Sequence, residues 1–337
     1  MTRSGTQHAV GLDDLRAAAA RIASHVHRTP VMTSRRLDAE VGSALFLKCE
    51  NLQRAGSFKM RGASNAVMHL DDAAAARGVV THSSGNFGQA MALAAAARGI
   101  PAHVVMPRNA PRVKQQAVAG YGGEIIFCEP TLTAREATAG EVVTRTGATF
   151  LHPYDQPDII AGQGTCALEL LDAVPDLDAV IAPVGGGGLV SGIAVAVHGL
   201  RPDVRVLGAE PLAADDAARS LATGTRQPPP EHPTTIADGL RTGLGACTWP
   251  IIQDYVERIF TVDECEIVSA MRLIWETTKL IVEPSAAVPL AALRTTAFRE
   301  LDGIERIGVV LSGGNVDLEQ LPWPTPAPTA SASAPHR

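Results

Sequence analysis

DAVIAPVGGGGLVSGIAVAVHGL, residues 178–200, holds an apolar run, four consecutive glycines and a second apolar stretch. The run 178–184 shows no alternation, as a strand covered on both faces requires. LVSGIAVAVHGL is long enough for a helix, which puts the glycines in a strand-to-helix turn. Four residues without side chains let backbone N–H groups converge on an anion at the positive end of the helix. The plain alternative is a tight turn with no ligand. The run is not G-x-G-x-x-G and no Lys-Ser/Thr follows it, so neither the dinucleotide fingerprint nor the nucleotide P-loop fits. A small phosphate group fits better.

The same strand–turn–helix unit recurs outward in both directions. Upstream, Leu12, Leu15 and Ile22 mark one side of an amphipathic helix in DLRAAAARIASHVH that Thr29-Pro30 ends, and ALFLKC (44–49) reads as a strand. Residues 78–100 read as a strand (79–82), a tight polar turn (83–86) and an alanine-rich helix, strands at 102–106 and 124–128 precede helices near 111–120 and near 132–146, and a short TFLH strand (149–152) follows. Downstream of a helix from Pro157 to about Asp172, strands are expected at 178–184, 204–210, 256–262 and 306–312, with helices near 263–280 and 284–295. Such alternation predicts an α/β fold of mostly parallel twisted sheets with helices on both faces. The runs 79–82, 102–106, 124–128 and 149–152 predict a small four-stranded sheet inserted in a larger one.

The 337 residues suffice for two domains, and 46% hydrophobic with 19% charged residues is ordinary for a soluble protein. A net charge of −6 argues against nucleic acid as a partner. Cys49, Cys128, Cys166, Cys247 and Cys265 have no C-x-x-C spacing, so buried reduced thiols are expected rather than a zinc site. The N-terminus lacks the apolar core of a secretory signal, and no apolar run reaches the roughly 20 residues that span a bilayer. A cytoplasmic protein without membrane contact is expected. WPTPAPTASASAPHR, after residue 322, has the composition of a disordered tail.

NLQRAGSFKMRGA (51–63) sets Lys59 at the start of an expected helix running to about Leu70, beside Phe58 and between Gly56 and Gly62. A helix N-terminus and partial burial lower a lysine pKa, which suits Schiff-base chemistry with an aldehyde. The ordinary reading of such a lysine is a solvated charge. Phe58 offers a flat wall for a planar ring, and the two glycines leave room for something bulky. Ser83-Ser84-Gly85-Asn86 is either a simple helix cap or a cradle for a substrate carboxylate. Leu311-Ser312-Gly313-Gly314-Asn315 ends the last expected strand, where ligands of α/β sheets gather, although it too reads as a turn. Glu210 ends a strand and Ala214-Asp215-Asp216 opens a helix, so two carboxylates and a free carbonyl could hold Mg²⁺ or Ca²⁺ or merely cap the helix.

Together GSFKMRGA, THSSGNFGQA, AGQGT, PVGGGGL, AEPLAADD, TIADGL, EPSAAV and LSGGN resemble, in order, the pyridoxal-phosphate (PLP) enzymes of the serine/threonine dehydratase family. This is the fold-type-II group related to tryptophan synthase β chains, and the pattern is most similar to serine racemase and its dehydratase relatives. The resemblance spans residues 12 to 317. It implies a two-domain fold, with a large PLP-binding domain over 1–77 and 152–321, a small substrate-side domain over 78–151 and the tail 322–337. It also implies Lys59 as Schiff-base lysine and base, Phe58 flanking the cofactor ring, and Asn86 bonding the ring hydroxyl. Amides of Gly185, Gly186, Gly187 and Gly188 would hold the phosphate, and Ser312 would face the ring nitrogen. Ser83, Ser84, Asn86 and Arg135 would meet the substrate. Glu210, the Ala214 carbonyl and Asp216 would bind a divalent cation.

A serine hydroxyl cannot keep a pyridinium charged, so the ring would be a moderate electron sink suited to loss of a β-hydroxyl. The expected function is a dehydratase (ammonia-lyase) converting L-threonine, L-serine or a relative to a 2-oxo acid and ammonia. Alternatives are a serine racemase with side dehydratase activity, in which Ser84 is the second proton carrier, a 3-hydroxyaspartate dehydratase, and a catalytically silent PLP-binding protein. The retained lysine, glycine loop and Ser312 argue against silence. Phe87 stands where the family usually has histidine, and Tyr154 replaces a smaller polar residue, so both are expected to border the substrate. No regulatory domain is expected, and the partners expected are an amino-acid substrate and further copies in a homodimer or higher homo-oligomer.

Overall fold

The computed structural model describes residues 8–83, 85–110 and 112–323; Ser84, Pro111 and the tail from residue 324 lie outside them. Pro322 and Trp323, expected in the tail, are placed, with the Trp323 ring edge-on to Trp275 at 5.2 Å; the rest of the expected tail lies outside the described residues.

The described strands are β1 (Val31–Met32), β2 (Ala44–Cys49), β3 (Val79–His82), β4 (Ala102–Pro107), β5 (Glu124–Cys128), β6 (Thr149–Phe150), β7 (Ala179–Pro183), β8 (Arg205–Pro211), β9 (Arg258–Val262) and β10 (Arg306–Leu311). They form a six-stranded sheet in the order β1-β2-β10-β7-β8-β9 and a four-stranded sheet in the order β5-β4-β3-β6. Only β1, on β2, is antiparallel.

The unalternating pattern of β7 has the expected cause. Ala179 and Ile181 join one apolar cluster with Leu47, Leu207 and Val309, under the helices Glu264–Thr278 and Pro284–Leu293. Val180 and Ala182 join another with Val206 and Val310, against the helices Pro157–Ala173 and Gly188–Leu200. Both faces are covered, so every residue of β7 is buried.

Three helices meet backbone to backbone beneath the site. A Cβ on Gly162 would lie 2.6 Å from the Gly62 Cα, and one on Gly192 would lie 2.5 Å from the Gly164 nitrogen. The AGQGT segment therefore fastens the helix Lys59–His69 and the helix Gly188–Leu200 to the helix between them. Lys59 and the glycine loop sit at the starts of those two fastened helices.

Several boundaries differ from expectation. The first helix is Leu12–Ile22 and stops short of His27, because His25 and Val26 N–H both turn back to the Ile22 carbonyl and Gln53 clamps the His27 backbone. β6 ends at Phe150, since His152 N–H donates to Gln156 Oε1 (3.0 Å) and Pro153 has no N–H for a ladder. The helices Arg35–Val41, Asp72–Arg77 and Thr248–Tyr255 were not expected. Ser34 and Asp71 cap the first two. The five thiols are unpaired, but Cys247 is half-buried and Cys265 exposed, so burial holds only for Cys49, Cys128 and Cys166.

Candidate active site

The large sheet brings four chemistry-bearing turns side by side. The Lys59 segment follows β2, Ser312 follows β10, the glycines follow β7 and Glu210 lies at the end of β8, and these strands are neighbours in that order. All four leave from the carboxyl ends of parallel strands, where open α/β sheets place ligands.

Lys59 opens its helix as expected. Its Nζ donates to the Pro153 carbonyl (2.7 Å) and lies 5.0 Å from the Phe58 ring centroid and 5.8 Å from that of Phe87. Burial lowers its pKa to about 8, against an upward pull from Glu283. Desolvation is thus the main cause. Two residues on, the wholly buried Arg61 donates to both carboxylate oxygens of Glu50 (2.7 and 2.8 Å) and both of Glu169 (2.7 and 2.8 Å). Lys48 adds a bond to Glu169 (2.6 Å), so two cations and two carboxylates neutralise one another under the first helical turn. Removing one partner from such a cluster strands a buried charge.

Gly56 and Gly62 make room for protein rather than for a ligand. A Cβ on Gly56 would sit 2.2 Å from Asn315 Oδ1, and one on Gly62 would sit 2.5 Å from Gln163 Nε2. Gly56 lies at φ +71°, Gly314 N–H donates to its carbonyl (2.9 Å), and Phe58 N–H donates to Ser312 O (3.0 Å). Ser312, buried, therefore abuts the residue before Lys59.

In the glycine loop, Gly187 takes φ +88° and caps the helix Gly188–Leu200. Thr248 Oγ1 donates to the Gly186 carbonyl (2.9 Å) and accepts from Gly245 N–H (2.9 Å). A Cβ on Gly187 would lie 2.8 Å from Ile252 Cδ1, and one on Gly186 would meet the Tyr154 ring at 2.2 Å. Tyr154 thus packs on the loop, while Phe87 is buried in the core.

From the small sheet, β3 delivers His82 and Ser83, and β6 delivers His152. Ser83 Oγ accepts from Gly85 N–H (3.3 Å), a bond within the turn, and the helix Asn86–Arg98 that follows has no side-chain cap. Asn86 Nδ2 donates to Glu283 Oε1 (2.8 Å) and Oε2 (3.1 Å), and Asn86 Oδ1 accepts from Asn315 (2.9 Å). Burial raises the Glu283 pKa to about 7. Ser84 lies outside the described residues. Arg135, on the helix Leu132–Thr146, buries its Nε with no hydrogen-bond partner among the described residues. Burial lowers the His82 pKa, and the Arg135 charge lowers it further.

Glu210 and Asp216 are both buried; Glu210 Oε1 accepts from Ala218 N–H (2.7 Å) and Asp216 Oδ2 from Leu244 N–H (3.2 Å). Burial raises their pKa values to about 9 and about 6. Asp215 instead pairs with Arg219 (2.8 Å). Among the described residues no three His, Cys, Asp or Glu gather as a metal cluster, so a cation here would draw on carbonyls such as that of buried Ala214.

Glu283 and Asp155 carry structural weight that sequence reading missed. Asp155 accepts from the N–H groups of Ala246 (2.8 Å), Cys247 (2.7 Å) and Thr248 (3.3 Å), which ties the Pro153 turn to the support of the glycine loop. The signal for Glu283 lay in EPSAAV, which carries no spacing of its own.

A desolvated lysine beside two aromatic rings at the start of one helix, with a glycine turn at the start of another, marks a recognised class. The chain is a member of the pyridoxal-phosphate-dependent enzyme family, whose model, "Pyridoxal-phosphate dependent enzyme", matches residues 22–313. It is 50% identical over 311 residues to a beta-hydroxyaspartate dehydratase of Paracoccus denitrificans, covering 92% of this chain and 98% of that one. It is 47% identical over 324 residues to a serine racemase of Arabidopsis thaliana, covering 95% and 98%. A solved maize serine racemase superposes with a TM-score of 0.91 at 49% identity, covering 93% of this chain and 95% of that one. No helix among the described residues is long and apolar enough to cross a membrane.

Proposed function

We propose that this protein is a PLP-dependent dehydratase of 3-hydroxyaspartate, releasing oxaloacetate and ammonia. The observation that carries this reading is Arg135, whose buried Nε finds no partner among the described residues. A buried, unpaired guanidinium N–H is costly, and an acidic substrate side chain would satisfy it. The 50%-identical dehydratase relative supports this substrate over threonine or serine.

The residues present fit the cofactor. Added Cβ atoms on Gly186 and Gly187 would run into Tyr154, Ile252 and Thr248, so glycine is what keeps this turn in place at the helix start; Gly187 takes a conformation that favours glycine, and Lys59 is held largely unprotonated by burial at mildly alkaline pH. When bound, PLP supplies the electron sink that acidifies the substrate Cα–H. Lys59, as free amine, takes that proton from one face. Phe58 would flank the cofactor ring, and the Ser312 hydroxyl would face its nitrogen. Asn86, oriented by Glu283 and Asn315, would serve the ring hydroxyl and, with Ser83 and Ser84, the α-carboxylate. Water leaves from Cα and Cβ, and hydrolysis of the enamine product yields the 2-oxo acid.

Glu210, Asp216 and the Ala214 carbonyl fit a divalent cation, since two buried carboxylates that form no ion pair among the described residues call for one. Mg²⁺ or Ca²⁺ there would neutralise the corner after β8, away from the reacting atoms. The serine racemase relatives support a second, slower activity, inversion at Cα with Ser84 as the second proton carrier; Ser84→Ala is then expected to remove D-isomer formation and to spare lyase turnover at least in part.

Arg135→Met tests the substrate. Its kcat/KM on 3-hydroxyaspartate is expected to fall about 10- to 150-fold, the equivalent of roughly 1.5–3 kcal/mol for a charge-assisted bond, with serine turnover nearly unchanged. Equal losses on both substrates would contradict the assignment.

A further inference from the structure

Past β6 the chain turns at His152-Pro153-Tyr154-Asp155, and the turn closes on the His152 ring. Nδ1 accepts from the N–H groups of Tyr154 (3.3 Å) and Asp155 (2.9 Å). A ring nitrogen that accepts carries no proton, so the neutral imidazole holds its hydrogen on Nε2. The ring is braced edge-on by Tyr154 at 4.6 Å and by Phe150 at 6.2 Å. Tyr154 is itself lodged on Gly186, and Asp155 caps the helix Thr248–Tyr255, so both ends of the turn are fixed.

The Nε2 side remains open. It makes no hydrogen bond among the described residues, and the half-buried ring lies 6.0 Å from His82 and next to Pro153, whose carbonyl holds Lys59. Burial lowers the His152 pKa to about 4; Asp155 pulls it up, and the charges of His82 and Lys59 push it down. The group is therefore an uncharged donor at neutral pH. Phe87, the other close neighbour of Lys59, offers no donor.

We propose that His152 is a specificity-determining residue, whose Nε2–H, fixed by the 152–155 turn, donates with Arg135 to the distal carboxylate of an acidic substrate. This rests on the 3-hydroxyaspartate reading and deepens it. A carboxylate presents about four lone-pair sites and no proton, so it takes a second donor that a serine side chain cannot use equally. A neutral donor also leaves the charge on Arg135 as the single counter-ion to that carboxylate.

Two variants test it. In His152→Asn, the side-chain oxygen can still accept the turn N–H groups, as Asn does in Asx turns, but its shorter amide donor does not reach the Nε2 position. His152→Gln extends an amide donor toward the Nε2 position. His152→Asn is expected to lower kcat/KM on 3-hydroxyaspartate about tenfold through KM, to leave serine within about twofold, and to lose most of the melting-temperature rise that succinate gives wild type. His152→Gln is expected to recover part of both. A similar loss on both substrates, or unchanged 3-hydroxyaspartate kinetics and succinate response, overturns the proposal while leaving the dehydratase reading intact. If wild type does not turn over 3-hydroxyaspartate, both fall. Should His152→Asn fail to fold, His152→Gln carries the test: a several-fold loss of preference for 3-hydroxyaspartate over serine with a weakened succinate response supports the proposal, and wild-type preference and response overturn it.

Discussion

Lys59 shows how much of this chemistry depends on surroundings that lie far away in the chain. Its amine is held by the carbonyl of Pro153 and flanked by Phe58 and Phe87, and burial lowers its pKa from 10.5 to about 8. The folded value lies below the unfolded one, so burial of the charged lysine costs stability below about pH 8, and that cost is relieved as pH rises from about 8 to 10.5. The same titration governs reactivity. With cofactor-free protein, the rate of colour development on adding PLP should be about tenfold higher at pH 9 than at pH 7, with a midpoint near 8. A flat profile over that range would contradict the desolvated lysine. The lysine itself was legible in SFK next to a helical pattern, whereas Glu283 was not. It becomes a site residue only because Asn86, 197 positions away, donates to it, and no local spacing encodes that pairing.

At the scale of elements, the glycine loop and the corner after β8 each make a separate demand. Gly187 lies at φ +88° with Ile252 and Thr248 within 3 Å of an added Cβ, so Gly187→Ala costs about 1–2 kcal/mol of backbone strain before any crowding. The strain falls on the loop proposed to hold phosphate. PLP affinity should drop at least about tenfold, equivalent to roughly 1.4 kcal/mol, in a protein that still folds; unchanged affinity would place the phosphate elsewhere. At the β8 corner, Mg²⁺ or Ca²⁺ at 100 times its Kd should add about 2.7 kcal/mol of stability, visible as a higher Tm that Glu210→Ala removes. A Tm indifferent to cations and chelators would reduce the two carboxylates to a buried acidic pair. Strand–turn–helix order was readable here because apolar runs and glycines punctuate the sequence. The role of AGQGT was not, since its glycines matter only where Gly62 and Gly192 come against them.

Across the whole molecule, the candidate site draws Lys59, the glycines and Ser312 from segments that follow strands of the larger sheet, and Asn86, Arg135 and His152 from segments that follow strands of the smaller. We propose that residues 78–151 form a small domain, joined to the large one through the apolar cluster that Met60, Ala63 and Val67 share with Phe87, Ala90 and Met91. Lys114, on the helix Arg112–Gly120, adds a pair with partly exposed Asp238 that is worth about 1 kcal/mol or less. The two-sheet plan was legible from strand order alone, but substrate choice was not, because it depends on which polar atoms remain unpaired after folding, as at Arg135 and His152. The most direct measurement is oxaloacetate release from 3-hydroxyaspartate by purified wild-type protein and by Lys59→Ala. The account predicts steady turnover by wild type, faster than on serine or threonine, and loss of both turnover and the yellow cofactor absorbance in the variant. Normal turnover by Lys59→Ala, or no oxaloacetate from wild type loaded with PLP, would contradict it.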